Sequence, residues 1–309
     1  MAAHNVIVIG ASAGGLEAIQ SLVATLPGDL PAAVFVTVHV YERSNGIVPE
    51  LLNRVSPLPA AHAVDGETIR TGRIYVAPPD HHLRLAAGHV HVSHGPKENM
   101  QRPCINVMFR SAARSYGERV AGVLLTGMLD DGVAGLGEIQ QNHGATIVQD
   151  PEEAAFRSMP DSAIHGLNVQ YIVRLAEMGP LLTRLSVADQ KPSRAGEPVL
   201  PNEELSAQVC PECGGAMTTV RMGGLREYRC HIGHRFGLQT LIAEKRKVVE
   251  RALETALSQS EELASLLDRA LNERSSESSE SVRSEIARLK GQQETLRSLA
   301  GDKDESAAH

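Results

Sequence analysis

Short unbroken apolar runs alternate with segments whose apolar residues recur at three- and four-residue intervals through the first part of the chain. Strand-like runs at 6–9, 34–39, 74–77, 120–125 and 145–149 alternate with helical patterns at 14–26, 104–116, 132–143 and 175–185. Buried parallel strands read as continuous apolar runs and amphipathic helices as a three-to-four repeat. The rhythm therefore predicts a doubly wound α/β domain over residues 1–187 with a mainly parallel sheet. The stretch "HLRLAAGHVHVSH" breaks it, because two short alternating runs around Ala87 and Gly88 predict a hairpin near 82–93 and with it a mixed sheet. Beyond Leu185, "SVADQKPSRAGEPVLPNEEL" is rich in proline, glycine and charge and has no period, which predicts a linker over 188–207. Residues 239–301 return to helical spacing. Val249, Leu253, Leu257, Leu263, Leu267 and Leu271 form one stripe, and Ile286, Leu289, Leu296 and Leu299 form another beyond the break "SSESSES". They predict a helical hairpin or coiled coil whose seam closes within the chain, between protomers or on a signalling partner. The tail, 302–309, is expected to be disordered.

Composition narrows the classes. A chain of 309 residues with 42% hydrophobic content can bury a sizeable core and carry a second module. A net charge of -7 and no basic groove argue against nucleic acid as partner. No apolar stretch approaches the roughly 20 residues of a membrane span, and no leader pattern precedes Val6, so a cytoplasmic location is expected. Of the four cysteines, Cys104 stands alone and reads as a small buried hydrophobe, while the other three cluster between 210 and 230. That clustering favours a metal site in a reducing compartment over a disulfide framework.

The first strand runs into "NVIVIGASAGGLEAI", which can be read as a nucleotide loop or as a nucleophile turn. A dinucleotide loop needs a second glycine where Ser12 stands and an acid near the end of the next strand, where His39 stands instead. The stretch Gly10 to Gly14 satisfies G-x-S-x-G, in which a sharp strand-to-helix turn presents a serine above the sheet. Open α/β sheets place their sites at the carboxyl ends of strands. Ser12 follows the first strand, His39 ends the second, and "VAGVLLTGMLDDG" delivers Asp130 and Asp131 after a third. Serine attack needs a histidine to take its proton and a carboxylate to fix the imidazole, and these types converge on one edge. Singly each has a plainer reading: Ser12 as a helix cap, His39 as a rim residue, Asp-Asp-Gly as a turn. His89, His91 and His94 share a strand face without a fourth ligand type nearby and read as solvated, and Arg102 and Arg110 likewise read as solvated surface cations, with contact to an acidic partner as the alternative.

A second constellation, "CPECGGAMTTVRMGGLREYRCHIGH", places Cys210 and Cys213 in a C-x-x-C knuckle and Cys230 with His234 in C-x-x-x-H, Gly223 and Gly224 marking the turn between. Four such ligands suit tetrahedral Zn²⁺ with no open position, hence a structural ion, with His231 a competing fourth ligand. Residues 208–238 are expected to form a zinc ribbon whose folding energy comes largely from the metal.

The blocks "GASAGG", "HVYERSNG", "VAPPDHHL", "RPCINVMFRSAA", "LLTGMLDDGVAGL" and "VQDPEEAAFRSMPDSAI" resemble successive parts of the chemotaxis protein-glutamate methylesterase (CheB-type) catalytic domain, over residues 5–185. The resemblance implies hydrolysis of γ-glutamyl methyl esters on a methylated chemoreceptor-like protein, with deamidation of glutamine in some members and no cofactor for catalysis. By motif position it implies Ser12 as nucleophile, His39 as base and Asp131, the aspartate directly before glycine, as orienting carboxylate. The amides of Ala13 and Met128 are then the oxyanion donors, each worth about 3 kcal/mol in comparable sites. Full-length members begin with a receiver domain, whereas this sequence starts at the esterase strand and reads as a stand-alone member. Ala13 stands where these enzymes usually have threonine and Leu129 where they usually have glycine. The competing readings are a non-catalytic signalling scaffold and a hydrolase of another small ester or amide.

Overall fold

A computed structural model describes residues 5–39, 46–86, 88–187, 202–222, 225–273 and 279–301. Strand β1 (Val6–Ala11), helix α1 (Gly15–Val23), β2 (Ala33–Val38), α2 (Val48–Asn53), β3 (Ala60–His62) and β4 (Arg73–Val76) build one half of the domain. After a hairpin of β5 (His82–Ala86) and β6 (His89–Ser93) come α3 (Ile105–Tyr116), β7 (Val120–Leu124), α4 (Val133–Gln141), β8 (Ala145–Gln149), α5 (Ser158–Gly166), β9 (Tyr171–Val173) and α6 (Leu175–Val187). The seven-stranded sheet has the order β3-β4-β2-β1-β7-β8-β9, and every pairing in it is parallel.

Every residue of β1 and β2 is buried because alternate side chains enter two different cores. Ile7, Ile9, Val34 and Val36 pack with Ile19 and Leu22 of α1 and Leu181 and Leu182 of α6. Val8 and Phe35 pack on the other face with Ile105, Met108 and Phe109 of α3 and Leu136 of α4. This two-sided burial is why the strands are continuous apolar runs in the sequence. The strand order reverses at β1, which places the switch point between β1 and β7.

The hairpin forms where expected but stays out of the sheet: β5 and β6 make a two-stranded sheet of their own, bridged at His89 to Thr68, so the main sheet is parallel rather than mixed. Leu83, Leu85 and Val90 enter the α3-side core while Arg84, His89 and His91 are exposed, so the hairpin is a cover laid on α3. Short elements escaped the pattern reading. Three-residue β3 and β9 are too brief for a period, and α5 carries a proline in its first turn.

The second sheet, β10-β11-β12-β13, is antiparallel and comprises β10 (Asn202–Val209), β11 (Ala216–Met222), β12 (Leu225–Cys230) and β13 (Arg235–Gly237). Part of the expected linker is therefore strand, since β10 begins at Asn202; residues 188–201 and the Gly223-Gly224 turn lie outside the described residues. An apolar pattern could not reveal β10. Leu205 is 90% exposed, and the strand is held by ladder bonds and by charge pairs of Glu203 with Arg229 and Glu204 with Arg221. The chain up to Leu241 is one compact unit that includes this ribbon.

The second unit holds the rest of α7 (Leu238–Glu273) and α8 (Ser279–Gly301). Within it the two helices close on one another, through Gln293 to Ser260 at 3.2 Å and Arg297 to Glu261 at 2.6 Å, with Ala264, Ile286 and Leu289 buried. No described helix is long and apolar enough to cross a membrane.

Candidate active site and metal centre

The loops after β1 and β7 are laced together by backbone and side-chain hydrogen bonds at the switch point. Leu125 N–H donates to Gly10 O at 2.9 Å, Ser12 N–H to Thr126 O at 3.0 Å, and Thr126 Oγ1 to Ala13 O at 3.0 Å. Gly14 caps α1 at φ 68, a left-handed conformation that favours glycine, and the helix has no side-chain cap. Ser12 is thus not spent as a cap. Its Oγ lies 2.9 Å from His39 Nδ1, and His39 Nε2 lies 2.8 Å from Asp131 Oδ2.

Asp131 is 3% exposed and sits at the amino end of α3. Its Oδ2 also accepts from Ile105 N–H at 2.8 Å. Its Oδ1 faces Asn99 Nδ2 at 3.1 Å, Cys104 Sγ at 3.0 Å, Asn106 N at 3.3 Å and Gly132 N at 3.0 Å. Burial alone would raise its pKa, but His39, Cys104 and the Ile105 amide outweigh it and hold the carboxyl at about 2. The imidazole therefore faces a permanent carboxylate on one side and a hydroxyl on the other. Such a chain can accept the serine proton and stabilise the imidazolium that results.

The turn at 127–129 is pinned to α5. Gly127 N–H donates to Phe156 O at 3.0 Å and Leu129 N–H to Ser158 Oγ at 3.1 Å, while the amides of Met128 and Ala13 make no hydrogen bond among the described residues. Those two amides are available to an oxyanion. A Cβ at Gly127 would stand 2.8 Å from that of Ser12, so this turn passes directly over the serine. Leu129 holds φ 65 without being glycine.

Sequence reasoning missed Asn99 and gave Cys104 only a packing role. Cys104 is indeed fully buried, but its thiol also faces the carboxylate, and burial raises its pKa well above an ordinary thiol. The arginines suggested for an acidic partner are already engaged. Arg102 pairs with Asp80 at 2.7 Å, and Arg110 is buried against Glu227 at 2.8 Å, Glu138 at 3.9 Å and Glu98. Asp80 Oδ2 also lies 3.0 Å from His94 Nε2, so that ring is hydrogen-bonded within the domain.

Among the described residues the only donor group close enough to hold a metal ion is Cys210, Cys213, Cys230 and His234, whose ligating atoms lie within 4.8 Å of one another. His231 is outside that group. A tetrahedron with metal–sulfur bonds of about 2.3 Å has edges of about 3.8 Å. Cys213 Sγ to Cys230 Sγ is 3.7 Å, and His234 Nδ1 is 3.7 Å from Cys210 Sγ and 3.5 Å from Cys230 Sγ. The donor set fits such an ion. Burial opposes a Cys230 thiolate, yet the knuckle amides of His234, Ile232 and Gly233 prevail and lower its pKa. Glu212 stands 3.8 Å from the outer nitrogen of His234.

Fold and site together define a class: α/β proteins carrying a Ser-His-Asp chain at the switch point of a parallel sheet. Residues 7–182 match the family described as CheB methylesterase. A Leptospira interrogans protein provisionally named a protein-glutamate methylesterase/protein-glutamine glutaminase is 36% identical over 183 residues, covering 59% of this chain and 95% of that protein. Protein-glutamate methylesterase/protein-glutamine glutaminase 2 of Methanosarcina mazei is 33% identical over 190 residues, 59% of this chain and 52% of its own. The crystal structure of the Thermotoga maritima CheB methylesterase catalytic domain aligns with a TM-score of 0.57 and 30% identity, over 59% of this chain and 98% of that one. The chain belongs to the CheB methylesterase family, a family of carboxylic ester hydrolases.

Proposed function

We propose that the protein hydrolyses γ-glutamyl methyl esters on methylated chemoreceptor-like proteins and deamidates glutamine side chains in the same site. The observation that carries this reading is the unbroken chain from Ser12 Oγ through His39 to Asp131, in a member of a family whose relatives are named for both reactions. Ser12 Oγ attacks the ester carbonyl carbon while His39 Nδ1 takes its proton, and Asp131 steadies the imidazolium. The tetrahedral oxyanion is held by the amides of Ala13 and Met128. Its collapse breaks the carbon–methoxy bond, and His39 returns the proton to the leaving oxygen as methanol departs. Water, deprotonated by the same imidazole, then cleaves the acyl-serine and leaves a glutamate carboxylate and free Ser12. A glutamine substrate follows the same path with ammonia leaving first.

The Cys210, Cys213, Cys230 and His234 set would hold Zn²⁺ in a closed structural site, contributing folding energy to the ribbon and no step to the chemistry. The activity is tested by methanol release from methylated chemoreceptor membranes, comparing the full chain with Ser12→Ala. Release by the wild type alone is expected. Its absence from a folded wild-type chain would refute the esterase reading and favour a non-catalytic scaffold.

A further inference from the structure

The two adjacent aspartates after β7 serve different partners. Asp131 faces His39, whereas Asp130 accepts from Gln239 N at 3.0 Å and Thr240 Oγ1 at 2.5 Å at the start of α7, and Gly237 packs so closely on it that a side chain there would clash. The end of the ribbon is therefore built directly onto the loop that carries the carboxylate.

Asn99 completes the link. Its Nδ2 donates to Asp131 Oδ1 at 3.1 Å, its Oδ1 accepts from Gly237 N–H at 2.8 Å, and its own N–H donates to Arg235 O at 2.7 Å. It is 5% exposed and holds φ 50, a left-handed conformation that asparagine tolerates better than most residues. On either side of it the same turn grips the ribbon. Met100 packs against the cluster of Cys210, Met217, Cys230 and Phe236, and Glu98 shares Arg110 with Glu227 of β12. Both β13 residues that Asn99 touches lie within three positions of His234, and Phe236 between them is fully buried in the cluster that contains Cys210 and Cys230. The backbone that fixes Asn99 is thus the backbone that the metal ligands fold.

We propose that Asn99 is a positioning residue for Asp131, and that the metal-loaded ribbon holds Asn99 in place, making the ribbon a working part of the active site. This rests on the hydrolase reading above. Without the ligand set drawn together, β13 loses its fixed place, Asn99 loses both backbone partners, and the carboxylate loses one of its donors. A hydrogen bond to a charged group carries enough free energy to alter reactivity about tenfold or more.

The test uses the full chain and two readouts that need no receptor. One is the rate at which a fluorophosphonate probe labels Ser12; the other is the downfield proton resonance of the His39–Asp131 hydrogen bond. Asn99→Asp keeps an acceptor for Gly237 N–H but turns a carboxylate toward Asp131. It is expected to label about tenfold more slowly than the wild type, and more slowly than Asn99→Ala, with its metal content unchanged. Stripping the metal from the wild type is expected to abolish the downfield proton and slow labelling, and added Zn²⁺ to restore both. Wild-type labelling rate and proton signal in both Asn99→Asp and the metal-stripped chain would overturn the proposal. If the folded wild type is not labelled at all, the hydrolase reading fails instead, and the proton resonance alone decides whether the ribbon positions Asp131.

Discussion

Replacing Asp131 by asparagine is the perturbation whose consequences the geometry specifies most closely. Four donors converge on Oδ1, from Asn99, Cys104, Asn106 and Gly132, and two on Oδ2, from His39 and Ile105. An asparagine must aim its NH₂ at one of these sites, and the Oδ2 side opposes fewer donors. There the NH₂ faces His39 Nε2, which can then only accept, so the ring proton moves to Nδ1 and points at Ser12. In the proposed mechanism a base holding its proton toward Ser12 cannot take another, and kcat is expected to fall by about 10³ to 10⁴, or about 4 to 5.5 kcal/mol of transition-state stabilisation.

The same substitution carries a stability signature. A carboxyl ordinarily at 3.8 but held at about 2 in the fold contributes about 2 kcal/mol at neutral pH. Because the folded pKa is depressed, that contribution is present above the unfolded value and is lost as pH falls from about 4 toward 2. Asp131→Asn should be less stable than wild type at neutral pH, and the gap should narrow across that window. The assays are ester hydrolysis at pH 7 and urea unfolding across the acid range. A variant with kcat within about threefold of wild type, less than about 1 kcal/mol, would refute the assignment of Asp131 to the imidazole.

Arg110→Met leaves Glu98, Glu138 and Glu227 buried without their shared cation and should cost about 3 to 5 kcal/mol in urea unfolding at neutral pH. The cost should shrink in acid, because burial already raises the Glu98 carboxyl pKa and its protonation removes one stranded charge. Gly127→Ala places a methyl against Ser12 and Met159; kcat should drop at least about tenfold while stability falls by only about 1 to 3 kcal/mol, read by parallel kinetics and unfolding. Co²⁺ added to the full chain should give the thiolate charge-transfer absorption of a tetrahedral site, lost in Cys230→Ser and His234→Ala and kept in His231→Ala.

What the sequence determined by itself is what neighbouring residues decide. Two-sided burial writes strands as apolar runs and packed helices as a three-to-four repeat, so the elements from β1 through α6 that are long enough to show a period are legible. Strand ends carry sites, which singled out Ser12, His39 and the Asp130–Asp131 pair before any contact was known. The paired spacings C-x-x-C and C-x-x-x-H singled out Cys210, Cys213, Cys230 and His234, and the β11–β12 ladder brings the two pairs together.

Tertiary structure alone decided the remainder. The division of labour between Asp130 and Asp131 depends on the amino ends of two helices, α3 for one and α7 for the other, separated by more than a hundred positions. Arg110 looked like a surface cation because nothing local announces that Glu227 will arrive across 117 positions to neutralise it. Strand β10 has no apolar alternation and exists through its partner's ladder, and the hairpin's place outside the sheet follows from which face α3 offered it. Asn99 is the sharpest case. A polar residue in a short turn has no periodicity or motif to mark it, and its position between the ribbon and the carboxylate is set by three segments that meet only in the fold.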